Sequence, residues 1–153
     1  MAYRHVYVAS VAMGGDDGHV VKVFREADAF DGPALILAYS HCIAHGYDLV
    51  HGMAQQKLAV QAGHWPLFRY NPALAEAGQR PFVLDSKSPS ISFEKYAYNE
   101  TRYTMLAHAH PEAARSLLID AQDDVLARWR MYESLAGIPH KDEVPPPPEA
   151  PHA

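Results

Sequence analysis

Val6-Tyr7-Val8-Ala9-Ser10-Val11-Ala12 is almost continuously apolar and rich in valine, the pattern of a strand covered on both faces of a parallel sheet. A turn follows at Gly14-Gly15-Asp16-Asp17-Gly18. Val20, Val23, Phe24 and Ala27 then recur at helical spacing, with Lys22, Arg25 and Glu26 on the other side, until Asp31-Gly32-Pro33 stops the run. Ala34-Leu35-Ile36-Leu37-Ala38-Tyr39 reads as a second buried strand. Strand, helix and strand within about forty residues make a βαβ unit, which predicts parallel strands and a right-handed crossover.

A helical stretch from Leu49 to Val60 ends near Gly63. Trp65 to Tyr70 and Pro81 to Ser86 are extended runs whose Asn71-Pro72 and Gly78 breaks predict an antiparallel ribbon. One helix is predicted from Phe93 to about His108. Pro111 opens a longer one, with Ala114, Leu117, Leu118, Ala121, Val125, Trp129 and Tyr132 along one stripe and Gly137 and Pro139 ending it. The fold class is therefore α/β: a parallel βαβ unit, a short antiparallel ribbon and two C-terminal helices. Residues 1–138 form one domain portion. Residues 139–153, with Pro145 to Pro148 in a row, read as a solvated, disordered polyproline tail, because proline has no amide donor.

Composition narrows the function. The 153 residues carry a formal charge of -5 and no run of Lys or Arg, so neither nucleic acid nor an anionic membrane finds an electrostatic footprint. Apolar runs fall well short of the roughly 20 residues that span a bilayer. A single cysteine excludes an internal disulfide, and the first residues lack the apolar core of a signal peptide, so the expected location is cytoplasmic.

In open α/β sheets ligands collect beyond the carboxyl ends of the strands. Those ends are the Gly14 to Gly18 turn and Ser40-His41-Cys42-Ile43-Ala44-His45-Gly46. His41, Cys42 and His45 are the densest group of metal ligands or nucleophiles. A complete intrachain zinc site is not expected, because no second cysteine pair exists. Three readings stay open on the residues alone: a Cys-His nucleophile, one ligand lent to a metal centre held mostly elsewhere, and an inert thiol. The glycine-rich turn lacks both G-x-G-x-x-G spacing and a Walker lysine. A strand-to-helix turn with an Asp cap is its simpler reading. Lys57, His64, Arg69 and Arg102 read as surface or salt-bridging groups.

From about Val6 to Ala136 the sequence resembles the C-terminal part of the thiamine-diphosphate domain of pyruvate:ferredoxin (flavodoxin) oxidoreductases. The segments that carry the resemblance are Val8 to Gly14, Asp31-Gly32-Pro33, Ser40 to Gly46, Gln55 to Val60, Trp65 to Tyr70, Leu84-Asp85-Ser86-Lys87 and Tyr98-Asn99-Glu100-Thr101-Arg102. The resemblance implies CoA-dependent oxidative decarboxylation of pyruvate to acetyl-CoA, with electrons leaving through [4Fe-4S] clusters to ferredoxin or flavodoxin. Cys42 matches the late ligand of the cluster nearest the thiamine. His41 and His45 become candidates to tune it, and Gly14 and Asp16 candidates to stand near the cofactor.

The family's earlier cysteines and its diphosphate and Mg²⁺ motif do not appear. Gly14-Gly15-Asp16-Asp17 replaces the usual Gly-Ala-Asn-Asp. The isolated chain is accordingly expected to hold no complete cluster and to leave pyruvate unchanged. Its expected partner is the remainder of the oxidoreductase or a complementary subunit, homodimeric when complete. The alternative is a non-catalytic binding or assembly module derived from that domain. Removal of earlier strands would also leave an unpaired sheet edge and apolar faces.

Overall fold

A computed structural model describes residues 4–137; the proline-rich tail and the proposed boundary at 138 lie outside the described residues. The elements are β1 (Tyr7–Val11), α1 (Asp17–Ala29), β2 (Ala34–Ala38), α2 (Gly52–Gln61), β3 (Phe68–Tyr70), α3 (Pro72–Glu76), β4 (Phe82–Leu84), α4 (Phe93–Ala97), α5 (Thr101–Ala109) and α6 (Pro111–Gly137). Short 3₁₀ turns at Ile43–His45 and Leu49–His51 join β2 to α2. The architecture is the expected α/β one, with β1 and β2 parallel.

One four-stranded sheet runs in the order β2-β1-β3-β4. The ribbon of β3 and β4 is antiparallel as its turn residues predict. It also joins the sheet, because β3 pairs antiparallel with β1 through Val8–Tyr70, Ala9–Arg69 and Ser10–Phe68. Tyr7, Ala9 and Val11 face α1 and pack with Val23, Val20, Ala27, Phe30 and Ile36. Val8 faces the other side, with Phe68 and Phe82, under the Tyr132, Leu135 and Ala136 end of α6. All of β1 is buried, as its unbroken apolar run requires. Each large side chain buried there contributes roughly 1.5–3 kcal/mol of transfer free energy.

Three sequence expectations need correction. β2 is an edge strand rather than a buried one: Leu35 is 53% and Leu37 42% exposed. Its outer edge has no strand beside it among the described residues, and α6 covers the sheet only around β1, β3 and β4. The single helix from Phe93 to His108 is two, α4 and α5, broken at Tyr98–Glu100 where the Glu100 side chain turns inward. In the predicted apolar stripes, Phe24 and Leu117 lie outward, 54% and 53% exposed.

Charge also binds α1 to the sheet. Arg69 on β3 donates to both oxygens of Asp85 at 2.8 Å and to both of Glu26 at 2.7 and 3.0 Å. His19 Nε2 lies 3.0 Å from Asp85, and Tyr7 donates its hydroxyl to Glu26 at 3.1 Å. Burial alone would raise the Asp85 pKa, but the hydrogen bonds from His19 and Arg69 outweigh it and hold the carboxyl at about 2, against an ordinary 3.8. The folded-state value is the lower one, so its stabilising effect is complete above pH 4 and is lost as pH falls through 2. The linkage amounts to about 2 kcal/mol. Urea melts between roughly pH 6 and pH 2 should show that loss, and Asp85→Asn should flatten the acid limb; an unchanged limb would remove Asp85 as its source.

Candidate functional site

The carboxyl ends of β1 and β2 converge on the first turn of α2. Tyr39 continues β2 with its amide on Val11 O at 2.9 Å, and Trp65 Nε1 donates to the same carbonyl at 3.1 Å. Gln56, buried in α2, ties the two strand ends together. Its Oε1 accepts from the Gly14 amide at 2.9 Å, and its Nε2 reaches Tyr39 O at 3.4 Å and His41 Nδ1 at 3.2 Å. With the amide nitrogen donating, His41 Nδ1 is the acceptor. Gly52 leaves room for that ring, since a Cβ there would lie 2.9 Å from it.

Cys42 follows in extended conformation and caps the 3₁₀ turn Ile43–His45, its carbonyl accepting from the His45 amide at 3.0 Å. Its thiol is free and the residue is exposed. Gly46 closes the turn at φ 77°, a left-handed geometry that favours glycine. Its carbonyl accepts from the Thr101 amide at 3.1 Å and from the Thr101 hydroxyl. The Cys42 loop is thus tied at one end to α2 and at the other to α5.

Behind the loop lies a buried polar network. Glu100 is fully buried and accepts from Gln55 Nε2 at 2.9 Å and Arg102 Nε at 2.5 Å. Gln55 Nε2 also donates to Tyr96 O at 3.0 Å. Arg102 donates to the Tyr96 hydroxyl at 3.1 Å, which lies 2.8 Å from that of Tyr39. Burial raises the Tyr96 hydroxyl pKa far above the ordinary phenol value, reinforced by Tyr39. His45 Nδ1 stands 4.0 Å from Glu100 Oε1, at ion-pair distance should the ring be protonated. His64 is neither a surface nor a salt-bridging group: it stacks on Tyr96 with centroids 4.8 Å apart. Burial, aided by Arg128, lowers its pKa to about 4.

The structure brings His41, Cys42, His45 and Gly14 to one end of the sheet. Gly14 and Asp16 have roles there already. A Cβ on Gly14 would run into the Met53 backbone, and Asp16 Oδ1 caps α1 by accepting from the His19 amide at 2.8 Å. Among the described residues no three His, Cys, Asp or Glu side chains are grouped as a metal site. The donor set is one accessible thiol, which suits a single ligand of a cluster completed by other thiolates. Gln55, Gln56 and Glu100 carry the site's internal bonding without a functional reading from sequence; the only signal was the pair of adjacent amides in α2, and nothing local marks Glu100 as buried.

These features define an α/β segment with a thiol-bearing loop at parallel strand ends. No protein-family model matches the chain. It is 54% identical over 136 residues to the pyruvate-flavodoxin oxidoreductase of a Nostoc strain, covering 89% of the chain and 11% of that protein. The pyruvate:ferredoxin oxidoreductase of Moorella thermoacetica is 47% identical over 136 residues, 89% of the chain and 12% of that protein. That of Rhodospirillum rubrum, a pyruvate-flavodoxin oxidoreductase, is 44% identical over 143 residues, 94% and 12% respectively. The chain is homologous to a segment of these pyruvate oxidoreductases and spans about 11% of their length. No described helix is long and apolar enough to cross a membrane.

Proposed function

We propose that the chain acts as the segment of a CoA-dependent pyruvate:ferredoxin (flavodoxin) oxidoreductase that lends Cys42 as one thiolate of a [4Fe-4S] cluster beside thiamine diphosphate. The supporting observation is the accessible thiol at the strand ends of a segment 54% identical to such a protein. When bound, the cluster would supply one-electron transfer and the thiamine would stabilise the carbanion left by decarboxylation. His41 and His45 flank the ligand, with His41 fixed by Gln56 and His45 facing Glu100. The Gln56 bond occupies Nδ1 of His41, which counts against that nitrogen serving as the base of an independent Cys-His enzyme. Gly14 and Asp16 contribute shape to the adjoining wall, since the Gly14 amide and an Asp16 oxygen are engaged within the chain. The remaining thiolates, Mg²⁺ ligands, CoA and pyruvate contacts come from the rest of the enzyme, a cytoplasmic homodimer that passes electrons to ferredoxin or flavodoxin.

The test is a full-length Nostoc oxidoreductase in which this chain replaces the matching 136 residues. Retained cluster iron and CoA-dependent pyruvate oxidation support the reading. A folded chimera with its remaining clusters intact but no pyruvate oxidation refutes it in favour of a non-catalytic module. The isolated chain, reconstituted anaerobically, should bind less than a full cluster; stoichiometric [4Fe-4S] in a monomer would refute the one-ligand assignment.

A further inference from the structure

Gln55 and Gln56 sit side by side in α2, 3% and 4% exposed. Neighbours on a helix point about 100° apart, and here each serves a different end of the Cys42 loop. Gln55 Nε2 donates to Glu100 at 2.9 Å, and the Thr101 amide beside Glu100 holds Gly46, where the loop leaves. Gln56 holds His41, where the loop begins. Its partners settle which way the Gln56 amide faces. The Gly14 N–H can only donate and the Tyr39 carbonyl can only accept, so Oε1 faces Gly14 and Nε2 faces Tyr39 and His41. Those first two bonds satisfy backbone groups, as folding alone would require. The third fixes an imidazole next to Cys42. Packing leaves little slack: a Cβ on Gly52 would lie 2.9 Å from that ring, and one on Gly14 would lie 2.1 Å from Met53 O. α2 thus touches both strand ends, and Gln56 bonds to both.

We propose that Gln56 is a positioning residue for the cluster: by holding His41 it fixes where the Cys42 thiolate stands, and so sets the reduction potential of the cluster that thiolate ligates. This rests on Cys42 being a cluster ligand, as proposed above. Among the described residues the middle of the loop is free of such restraint, since Cys42 is exposed and Ile43 is 77% exposed. The loop's hold on the sheet therefore lies at its two ends, and the end adjoining Cys42 is the one Gln56 grips. Iron-sulfur potentials respond to the hydrogen bonds and solvent exposure around the sulfurs, and partners behind a ligand shift metal-site properties without touching the metal. The Gly14 amide serves as the anchor, because it locks the oxygen end of the Gln56 side chain and leaves the nitrogen end aimed at His41.

The test is a redox titration of the full-length chimera followed by paramagnetic resonance. Gln56→Met keeps the side chain's length but has no amide. It should leave the cluster iron in place and shift the reduction equilibrium of the thiamine-proximal cluster at least ~3-fold, with the other clusters unmoved. His41→Phe keeps a ring without nitrogens and leaves the Gly14 and Tyr39 bonds of Gln56 intact, so it serves even where Gln56→Met fails to fold; it should shift the same cluster in the same range. Because Gln56 acts through His41, adding Gln56→Met to His41→Phe should change the equilibrium by less than about 1.5-fold more. In the metal-free chain, the His41 ring-nitrogen resonances should move on Gln56→Met. The proposal is overturned by a His41→Phe or folded Gln56→Met chimera whose potential matches wild type, by additive shifts in the double variant, or by unmoved His41 resonances. Loss of the cluster in Cys42→Ser with no shift from either variant sinks this inference alone. A cluster that survives Cys42→Ser sinks the proposed function, and this inference with it.

Discussion

Arg69→Met is expected to lower the free energy of unfolding by about 3 kcal/mol, among the largest effects of any single substitution in this chain. The methionine keeps much of the arginine stem's volume, so the loss comes from the guanidinium. That group donates four hydrogen bonds, two to Asp85 and two to Glu26, from a side chain only 11% exposed. Its removal leaves two carboxylates facing each other across the α1–sheet contact. His19 still serves Asp85 and Tyr7 still serves Glu26. Glu26 is 29% exposed and can regain water. Both effects keep the expected cost at the lower end of the range for a broken buried ion pair. Arg69→Lys retains the charge but cannot span both acids as a fork, so it should cost about half as much. Urea unfolding of the three proteins checks the order; a loss under about 1 kcal/mol for methionine would mean the network contributes little.

How much of this was legible depends on the range of the interactions that decide each element. β1, α1 and their parallel partner follow from local pattern: an unbroken Val-rich run, a glycine turn, a 3.6-residue repeat. The Asp cap of α1 is equally local. The break between α4 and α5 is not. No proline or glycine marks it, and the helix divides because Glu100 is drawn onto Gln55 while the Thr101 amide reaches Gly46, more than fifty residues away along the chain. β2 fails differently. Its composition reports a strand covered on two faces, whereas residues 4–137 cover it on one edge and in part on one face.

The site divides along the same line. That the Cys42 loop would stand at the strand ends followed from strand order, because the carboxyl ends of parallel strands are where loops converge. Sequence could not show that Gln56 would clamp Gly14, Tyr39 and His41 at once, since those bonds join three separate loops to one side chain. Nor could it separate a cofactor role for Gly14 and Asp16 from the packing and capping roles that the geometry assigns them. His64 misled for a related reason: it reads as a surface or salt-bridging group, and only its stack on Tyr96 reveals the burial that depresses its pKa.

Cys42→Ser in the full-length chimera is expected to cost the enzyme its thiamine-proximal cluster and to slow CoA-dependent pyruvate oxidation by at least ~100-fold, the upper end of what loss of a mere outer partner does. The argument is chemical. Iron-sulfur iron is held by soft thiolates, and a serine hydroxyl is both harder and far less acidic. The same substitution should leave the fold intact. Cys42 is exposed, and it occupies the cap of the Ile43–His45 turn, where serine is a favoured residue. Unfolding midpoints of the wild-type and variant isolated chains should therefore agree, which separates loss of a ligand from loss of structure. Iron analysis, low-temperature paramagnetic resonance of the reduced enzyme and turnover with flavodoxin provide the readouts. A change confined to one cluster signal with the others intact supports the ligand assignment, whereas unchanged iron and turnover within about twofold would return Cys42 to the status of a bystander thiol.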